Sequence, residues 1–223
     1  MKVYKYLSLI TTLYITFQLI SDVTAGKIVQ FGVLTFSASI FYFPFTYIFS
    51  DILTEVYGYA KARRVLWQVL LASVIAGFIY QIVILLPPAN SFDANDAYTR
   101  VLGSVPRILV GGWIAVWIGG ILNDYLLAKM KVWSNGKHLW LRTISSTIVG
   151  EGANTVLFYT IALSTVLPNN LLFSSILSGW LLKVVIEVIF TPLTYYVVAK
   201  LKKAESEDYY DRDTDFNPFI IKS

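Results

Sequence analysis

Three stretches of this chain carry no charged side chain over the length of a membrane. Residues 65–86 run from Val65 to Leu86 without an acid or a base and end in Pro87-Pro88. Residues 28–50 carry none, and neither do residues 152–182. A helix needs about 20 apolar residues to cross a bilayer, and several of these runs qualify. The strands of an outer-membrane barrel would alternate apolar and polar residues in short segments; no such alternation is present. Soluble chains carry about a quarter charged residues, whereas this one carries 14%, with 56% hydrophobic. The expected fold class is an all-α integral membrane protein, a bundle of transmembrane helices.

Six spans fit the pattern, at about 6–26, 34–57, 63–86, 107–128, 142–166 and 172–199. They fill residues 1–203 as a single membrane domain. The first segment resembles a signal peptide in charge. Its apolar part runs past the usual length, however, and no small-x-small cleavage site follows, so it is expected to stay as a span. The excess of bases in cytoplasmic loops sets the orientation. With both termini cytoplasmic, the inner segments hold Lys2, Lys5, Lys61, Arg63, Arg64, Lys129, Lys131, Lys137, Arg142, Lys200, Lys202 and Lys203. The outer segments hold only Lys27, Arg100 and Arg107. Adding or dropping one span scrambles this pattern. The outer loop 87–106 is long enough for a short helix lying at the interface. Residues 204–223, "AESEDYYDRDTDFNPFIIKS", read as an acidic, solvated and mobile cytoplasmic tail. "PFTY" at 44–47 and "PLTY" at 192–195 predict two proline-bent helices.

The chain has no cysteine, which excludes disulfides, thiolate chemistry and cysteine-rich metal sites. HExxH, GxSxG and Walker A motifs are absent, and His138, the one histidine, lies in a basic loop. Nothing in the pattern assembles a nucleophile with a base or a metal with three ligands. A membrane enzyme is therefore the weaker class, and no cofactor is implied. The net charge of +4 is accounted for by basic cytoplasmic loops and requires no nucleic acid.

An ionisable group within a span is a functional candidate, because leaving it in lipid costs a few kcal/mol or more. Asp51 and Glu55 share one helix face at i, i+4, near the cytoplasmic end of span 2. Lys61, Arg63 and Arg64 follow directly and could pair with them, as a structural cluster, as an inner gate, or as both. In span 5, "SSTIVGEGANTVLF" puts Glu151 and Asn154 on one face, with Ser146 and Thr147 a turn or so before. Gly150, Gly152 and Ala153 allow another helix or a ligand to come close. At ~1.5 Å per residue from Arg142, Glu151 falls near mid-membrane. The helix-packing reading explains the glycines well and the glutamate poorly. In span 6, Lys183 and Glu187 sit at i, i+4, near the same depth, as an internal ion pair that should face a cavity or Glu151. Asn123 and Asp124 lie near the inner end of span 4, with Asp124 snorkelling or paired to the basic 4–5 loop. Gln18 and Asp22 lie near the outer end of span 1, with Lys27 as the partner expected for Asp22.

"FPFTYIFSDILTEVYGYAKARR" (43–64) closely resembles the signature of the queuosine-precursor transporter family. "AGKIVQFG", "VPRILVGGWIAVWIGGILNDYLLAKMK", "WLRTISSTIVGEGANTVLFYTIA" and "LLKVVIEVIFTPLTYYVVAKLKK" resemble its other segments in order. The resemblance covers nearly the whole chain, apart from the 87–100 loop and the tail. It implies a six-span inner-membrane importer of 7-deazaguanine bases for tRNA modification: the cyano form, the aminomethyl form or queuine. One departure stands out. The family usually has aspartate where this chain has Asn154, and here a carboxylate sits one turn back, at Glu151.

A guanine-like edge offers N1–H and an exocyclic amine to a carboxylate, and O6 to a cation. The substrate-binding group expected is therefore Glu151, Asn154, Lys183 and Glu187. Asp51, Glu55, Lys61, Arg63 and Arg64 are placed at an inner gate or as structural ion pairs, with Asp124 as support. The partners are the bilayer and the small-molecule base. A coupling proton at Glu151 and a homo-oligomer are left open by the sequence. Two rival readings are a substrate-binding subunit of an energy-coupling-factor importer and a non-transporting membrane scaffold.

Overall fold

The computed structural model describes residues 3–25, 27–31, 34–103, 106–164 and 169–220. Helix α1 (Leu7–Thr24) leads into a hairpin of β1 (Ile28–Phe31) and β2 (Leu34–Ser37). The hairpin is antiparallel, with Ile28 opposite Ser37 and Phe31 opposite Leu34. A 3-10 turn at Ala38–Phe41 precedes α2 (Pro44–Tyr57). Then come α3 (Tyr59–Leu85), the short α4 (Asn95–Leu102) and α5 (Pro106–Trp133). The last helices are α6 (Leu139–Phe158), continued by a π-helical turn at Tyr159–Leu163, and α7 (Asn169–Glu205). The helix expected in the 87–106 loop is α4.

By length and composition, α1, α3, Leu109–Trp133 of α5 and Leu172–Glu205 of α7 can each cross a membrane. Helix α6 has 20 residues, extended by the π turn. Helix α2 differs from the expected span. Its 14 residues reach only about 21 Å at 1.5 Å per residue, short of the hydrocarbon thickness. The sequence reading ran one helix from residue 34, but 34–37 pair as a strand with 28–31. Pro44 explains the break. It stands at the first turn of α2, where its missing N–H costs nothing and its fixed φ suits a helix start. Pro44 thus begins a helix rather than bending one, while Pro192 does lie inside α7.

Short as it is, α2 is the centre of the bundle, packed against α1, α3, α5 and α7. Every residue of it except Phe45 and Phe49 is buried. Leu53, Val56 and Tyr57 join Leu66 and Val69 of α3 in the apolar core. A helix buried all round has no lipid-facing stripe, so its polar side chains must meet partners inside the protein.

The closest helix crossing is that of α5 on α6. A Cβ on Gly150 would sit 2.6 Å from the Asn123 Cβ and 2.8 Å from the Gly119 carbonyl oxygen. A Cβ on Gly119 would sit 2.7 Å from the Asn154 Cβ. The two glycines let the backbones touch, and this sets Asn123 and Asn154 side by side over one cleft.

Residues near both ends of the chain meet at one end of the bundle. The backbone N–H groups of Lys5 and Tyr6 donate to Glu205 (2.9 and 2.7 Å), and the Tyr4 hydroxyl donates to Glu207 (2.8 Å). The acidic tail, expected to be solvated, makes contacts with the bundle. Both Asp211 oxygens accept the Tyr59 N–H at 3.1 Å. The Phe216 ring stacks at 4.8 Å on Tyr59, and the Trp67 indole donates to the Pro218 carbonyl at 3.0 Å. Aromatic residues among the acids give the tail apolar area to bury: Tyr210 and Phe216 are half-buried and Tyr209 packs on Gly58, which offsets the tail's charge.

Candidate functional site

A narrow cleft opens at the middle of the bundle, bounded by four helices. Tyr14 and Gln18 of α1 form one side. Phe43, just before α2, and Thr46, Tyr47 and Ser50 on it form the second, at helical i, i+3, i+4, i+7 spacing. Val116, Gly120 and Asn123 of α5 and Glu151 and Asn154 of α6 close it. The free space amounts to about one water molecule.

Lys183 of α7 reaches this group. Its ammonium donates to Glu151 Oε2 at 2.8 Å and to Asn154 Oδ1 at 2.9 Å, and lies 4.6 Å from the centroid of the Phe43 ring. The Tyr47 hydroxyl donates to the Lys183 carbonyl at 3.0 Å, which fixes the level of α7 against α2. Three of the four residues expected to bind substrate therefore come together. Glu187 does not join them. It is fully buried one turn along α7, outside the cleft, and neither of its oxygens accepts a hydrogen bond among the described residues. The i, i+4 pairing of Lys183 with Glu187 is replaced by the pairing of Lys183 with Glu151. Tyr47 meets Lys183, and one turn further on along both helices Asp51 and Glu187 are near enough to interact electrostatically.

The cleft's amide groups have defined orientations. Gln18 Nε2 donates to Asp22 Oδ1 at 2.7 Å, and the Ser73 hydroxyl donates to the other Asp22 oxygen at 2.7 Å. Asp22 thus has two neutral donors and not the Lys27 partner expected; Lys27 is exposed. Asn123 Nδ2 donates to Asp51 Oδ1 at 2.5 Å. Gln18 Oε1 and Asn123 Oδ1 are buried acceptors with no donor among the described residues. Asn154, which lines the cleft, accepts a hydrogen bond from the Lys183 ammonium at Oδ1, and its amide NH2 can only donate.

The acids of α2 find other partners than the adjacent bases. Glu55, 1% exposed, is met by three cations from other helices. Lys202 of α7 lies 2.6 Å away, Arg142 of α6 3.1 Å, and Lys131 of α5 3.6 Å. Lys131 also donates to the Glu55 carbonyl at 2.5 Å. Arg63 turns away, donating to the carbonyls of Asp215 (2.9 Å) and Asn217 (2.5 Å) in the tail. Lys61 donates to the Tyr57 carbonyl at 3.2 Å and lies 5.1 Å from the Tyr4 and Tyr209 rings. Arg64 follows on α3, half-buried. The reason is the reversal at Gly58, whose φ of +88° starts α3 in a new direction. Asp124, expected to reach a basic loop, is fully buried and accepts the Ser50 hydroxyl at 2.7 Å.

Sequence reasoning missed Tyr14, Phe43, Thr46, Tyr47 and Ser50 as cleft residues. For Phe43, Thr46, Tyr47 and Ser50 the signal was their helical i, i+3, i+4, i+7 spacing, on one face ahead of the acids of α2; Tyr14 of α1 had none. The surroundings of Glu187 had no signal, because they are set by Thr143 and Glu151 of α6 and Asp51 of α2, all distant in sequence.

Comparison with known proteins adds a family. A family model described as "Putative vitamin uptake transporter" matches residues 37–197. The chain is 28% identical over 147 residues to the "Probable queuosine precursor transporter" of Bacillus subtilis (strain 168), covering 66% of this chain and 64% of that protein. It is 23% identical over 122 residues to the "Queuosine precursor transporter" of Escherichia coli (strain K12), covering 55% of this chain and 52% of that protein. A third relative, the "Probable queuosine precursor transporter" of Haemophilus influenzae, is 24% identical over 54% of this chain and 48% of its own length. The chain thus spans between about half and two thirds of the relatives it matches. No solved structure matches it. Because the family match takes in α2 through most of α7, well over half of the residues, the chain belongs to this uptake-transporter family.

Proposed function

We propose that this protein carries 7-deazaguanine bases, precursors of queuosine, across the bacterial inner membrane, and that it does so as a carrier rather than an enzyme. The observation that carries the reading is the Glu151–Lys183 pair, 2.8 Å apart and set at the wall of a central cleft. A carboxylate beside an ammonium is complementary to the edge of a guanine-like base. Glu151 accepts from N1–H, Lys183 donates to O6, and Asn154 adds an amide contact. Phe43, Tyr14 and Tyr47 supply ring faces. The relatives' names point to the same class of substrate. The chain makes six crossings in this reading, with both ends cytoplasmic and α2 as a half-length, discontinuous element at the binding site, as in many carriers. A base far larger than one water enters only when the helices part, which is the movement alternating access requires. Glu55 with Lys131, Arg142 and Lys202 forms the inner gate, and Asp51 and Asp124 support it.

The test is uptake in cells that lack both precursor synthesis and their own importer. Queuosine in tRNA is measured with each base supplied at low concentration. Wild type restores queuosine without added ATPase or scaffold subunits, which separates it from an energy-coupling-factor component. Glu151→Gln and Lys183→Met each lower the rate at least tenfold at unchanged protein level. Full uptake by both variants would remove the site from this assignment.

A further inference from the structure

We infer that Gln18 is a specificity-determining residue of the cleft, reading the exocyclic amine of the base, and that Asp22 and Ser73 are the positioning residues that aim it. The inference rests on the proposed function and deepens it.

Gln18 is only 3% exposed, and glutamine in a membrane helix is retained where it has a partner. Half of its amide has one. Nε2 donates to Asp22 Oδ1 at 2.7 Å, along the same face of α1. That bond removes the usual ambiguity of a glutamine amide, because a carboxylate accepts only from the NH2 side. Asp22 is itself anchored from α3 by the Ser73 hydroxyl at 2.7 Å. The carbonyl oxygen of Gln18 is therefore turned away from Asp22. It is buried and has no donor among the described residues, on a residue that lines the cleft with Glu151 and Asn154. A buried acceptor left without a donor is costly. A ligand presenting an N–H to it recovers that cost, and a ligand without the N–H does not.

Glu151 and Lys183 recognise N1–H and O6, which guanine-like and hypoxanthine-like bases share. Through these two contacts alone they do not discriminate between the two. The exocyclic amine has two hydrogens, and one remains after any contact with Glu151. Gln18 Oε1, on another helix of the same cleft, is the acceptor for it. Selection for the amino base then depends on a chain running from α3 through α1 to the cleft: Ser73, Asp22, Gln18.

The experiment uses the purified full-length protein in lipid nanodiscs, with 7-deazaguanine and 7-deazahypoxanthine as probes in equilibrium binding. Wild type binds the amino base about tenfold more tightly, the worth of one hydrogen bond to a buried acceptor. Gln18→Met loses that preference and keeps the wild-type affinity for 7-deazahypoxanthine. Asp22→Asn, which keeps the size but lets the Gln18 amide turn over, loses much of the preference as well. Gln18→Met with the preference intact, or with both affinities lowered equally, overturns the inference. So does a preference in Asp22→Asn equal to wild type, a readout that stands even where Gln18→Met fails to fold. Wild-type protein that binds neither base overturns the functional reading itself, a distinct result.

Discussion

Lys183 illustrates what a buried charge demands of its neighbours. Its ammonium is held by Glu151 and Asn154 and faces the Phe43 ring. Removing one partner of a buried pair leaves the other uncompensated, at a cost of about 3–5 kcal/mol. Lys183→Met should therefore lower the Tm of the purified protein by roughly 6–20 °C, at 2–4 °C per kcal/mol for a chain of this size. The double variant Glu151→Gln, Lys183→Met removes both charges and should recover most of that loss while remaining unable to bind base. Thermal unfolding of the three proteins checks this, and a double-variant loss equal to the sum of the two single losses would mean the pair is not coupled. The members of this group were legible in the sequence, since each is a polar residue in an apolar run. Their pairing was legible only as alternatives, Lys183 with Glu187 or Lys183 facing Glu151. Spacing along α7 favours Lys183 with Glu187, because helix neighbours at i, i+4 are visible in sequence. The partner that wins comes from α6, and only packing brings it within reach.

At the scale of elements, α5 and α6 decide where the cleft lies. Their backbones touch at Gly119 and Gly150, and Asn123 and Asn154 stand on either side of that contact. Gly150→Ala places a methyl group 2.6 Å from the Asn123 Cβ, and the helices must separate. Overpacking of this kind costs about 1–3 kcal/mol. The expected outcome is a lower Tm together with weakened base binding, because Asn154 moves with α6. Gly152→Ala meets the edge of Trp180 at 3.2 Å, a neighbour that can yield, so it should cost less in both measurements. The glycines of "GEGAN" announced this close approach from sequence alone. The shortness of α2 was announced less clearly. Residues 28–50 carry no charge, and hydropathy cannot tell a membrane helix from a strand pair followed by a buried half-helix. Pro44 was the readable mark, but proline starts helices as readily as it bends them.

Over the whole molecule, the acidic tail is bound to the basic end through the same cations that serve the α2 acid. Lys131 and Lys202 both reach Glu55, and both also reach Asp208 Oδ1, at 2.5 and 2.8 Å. Tyr209 and Tyr210 pack where Gly58 and Gly136, both at positive φ, leave no Cβ in the way. Composition could not foresee this, because it counts charges without knowing that bases from two distant helices converge to receive them. Partial burial pushes the Asp208 carboxyl upward, yet the hydrogen bonds and charges of Lys131 and Lys202 outweigh it and hold it below its usual value. A carboxyl held low when docked binds a proton more readily once released. Asp208 therefore supports docking at neutral pH, and that support is lost as pH falls below the ordinary aspartate value of about 3.9. Asp211 works in the opposite sense, since burial raises its carboxyl. Hydrogen-exchange protection factors report the outcome at two amides, Tyr209, which donates to the Val56 carbonyl, and Tyr59, which donates to Asp211. Protection at Tyr209 should fall on acidification of the wild-type protein. It should also fall with added salt at neutral pH, because Asp208 is 44% exposed and a pair so open to solvent is screened. In Asp208→Asn, protection should start lower and no longer fall on acidification, because only the opposite contribution of Asp211 remains. Acid sensitivity of the same size in Asp208→Asn and wild type would show that the two lysines are not what ties the tail to the basic end.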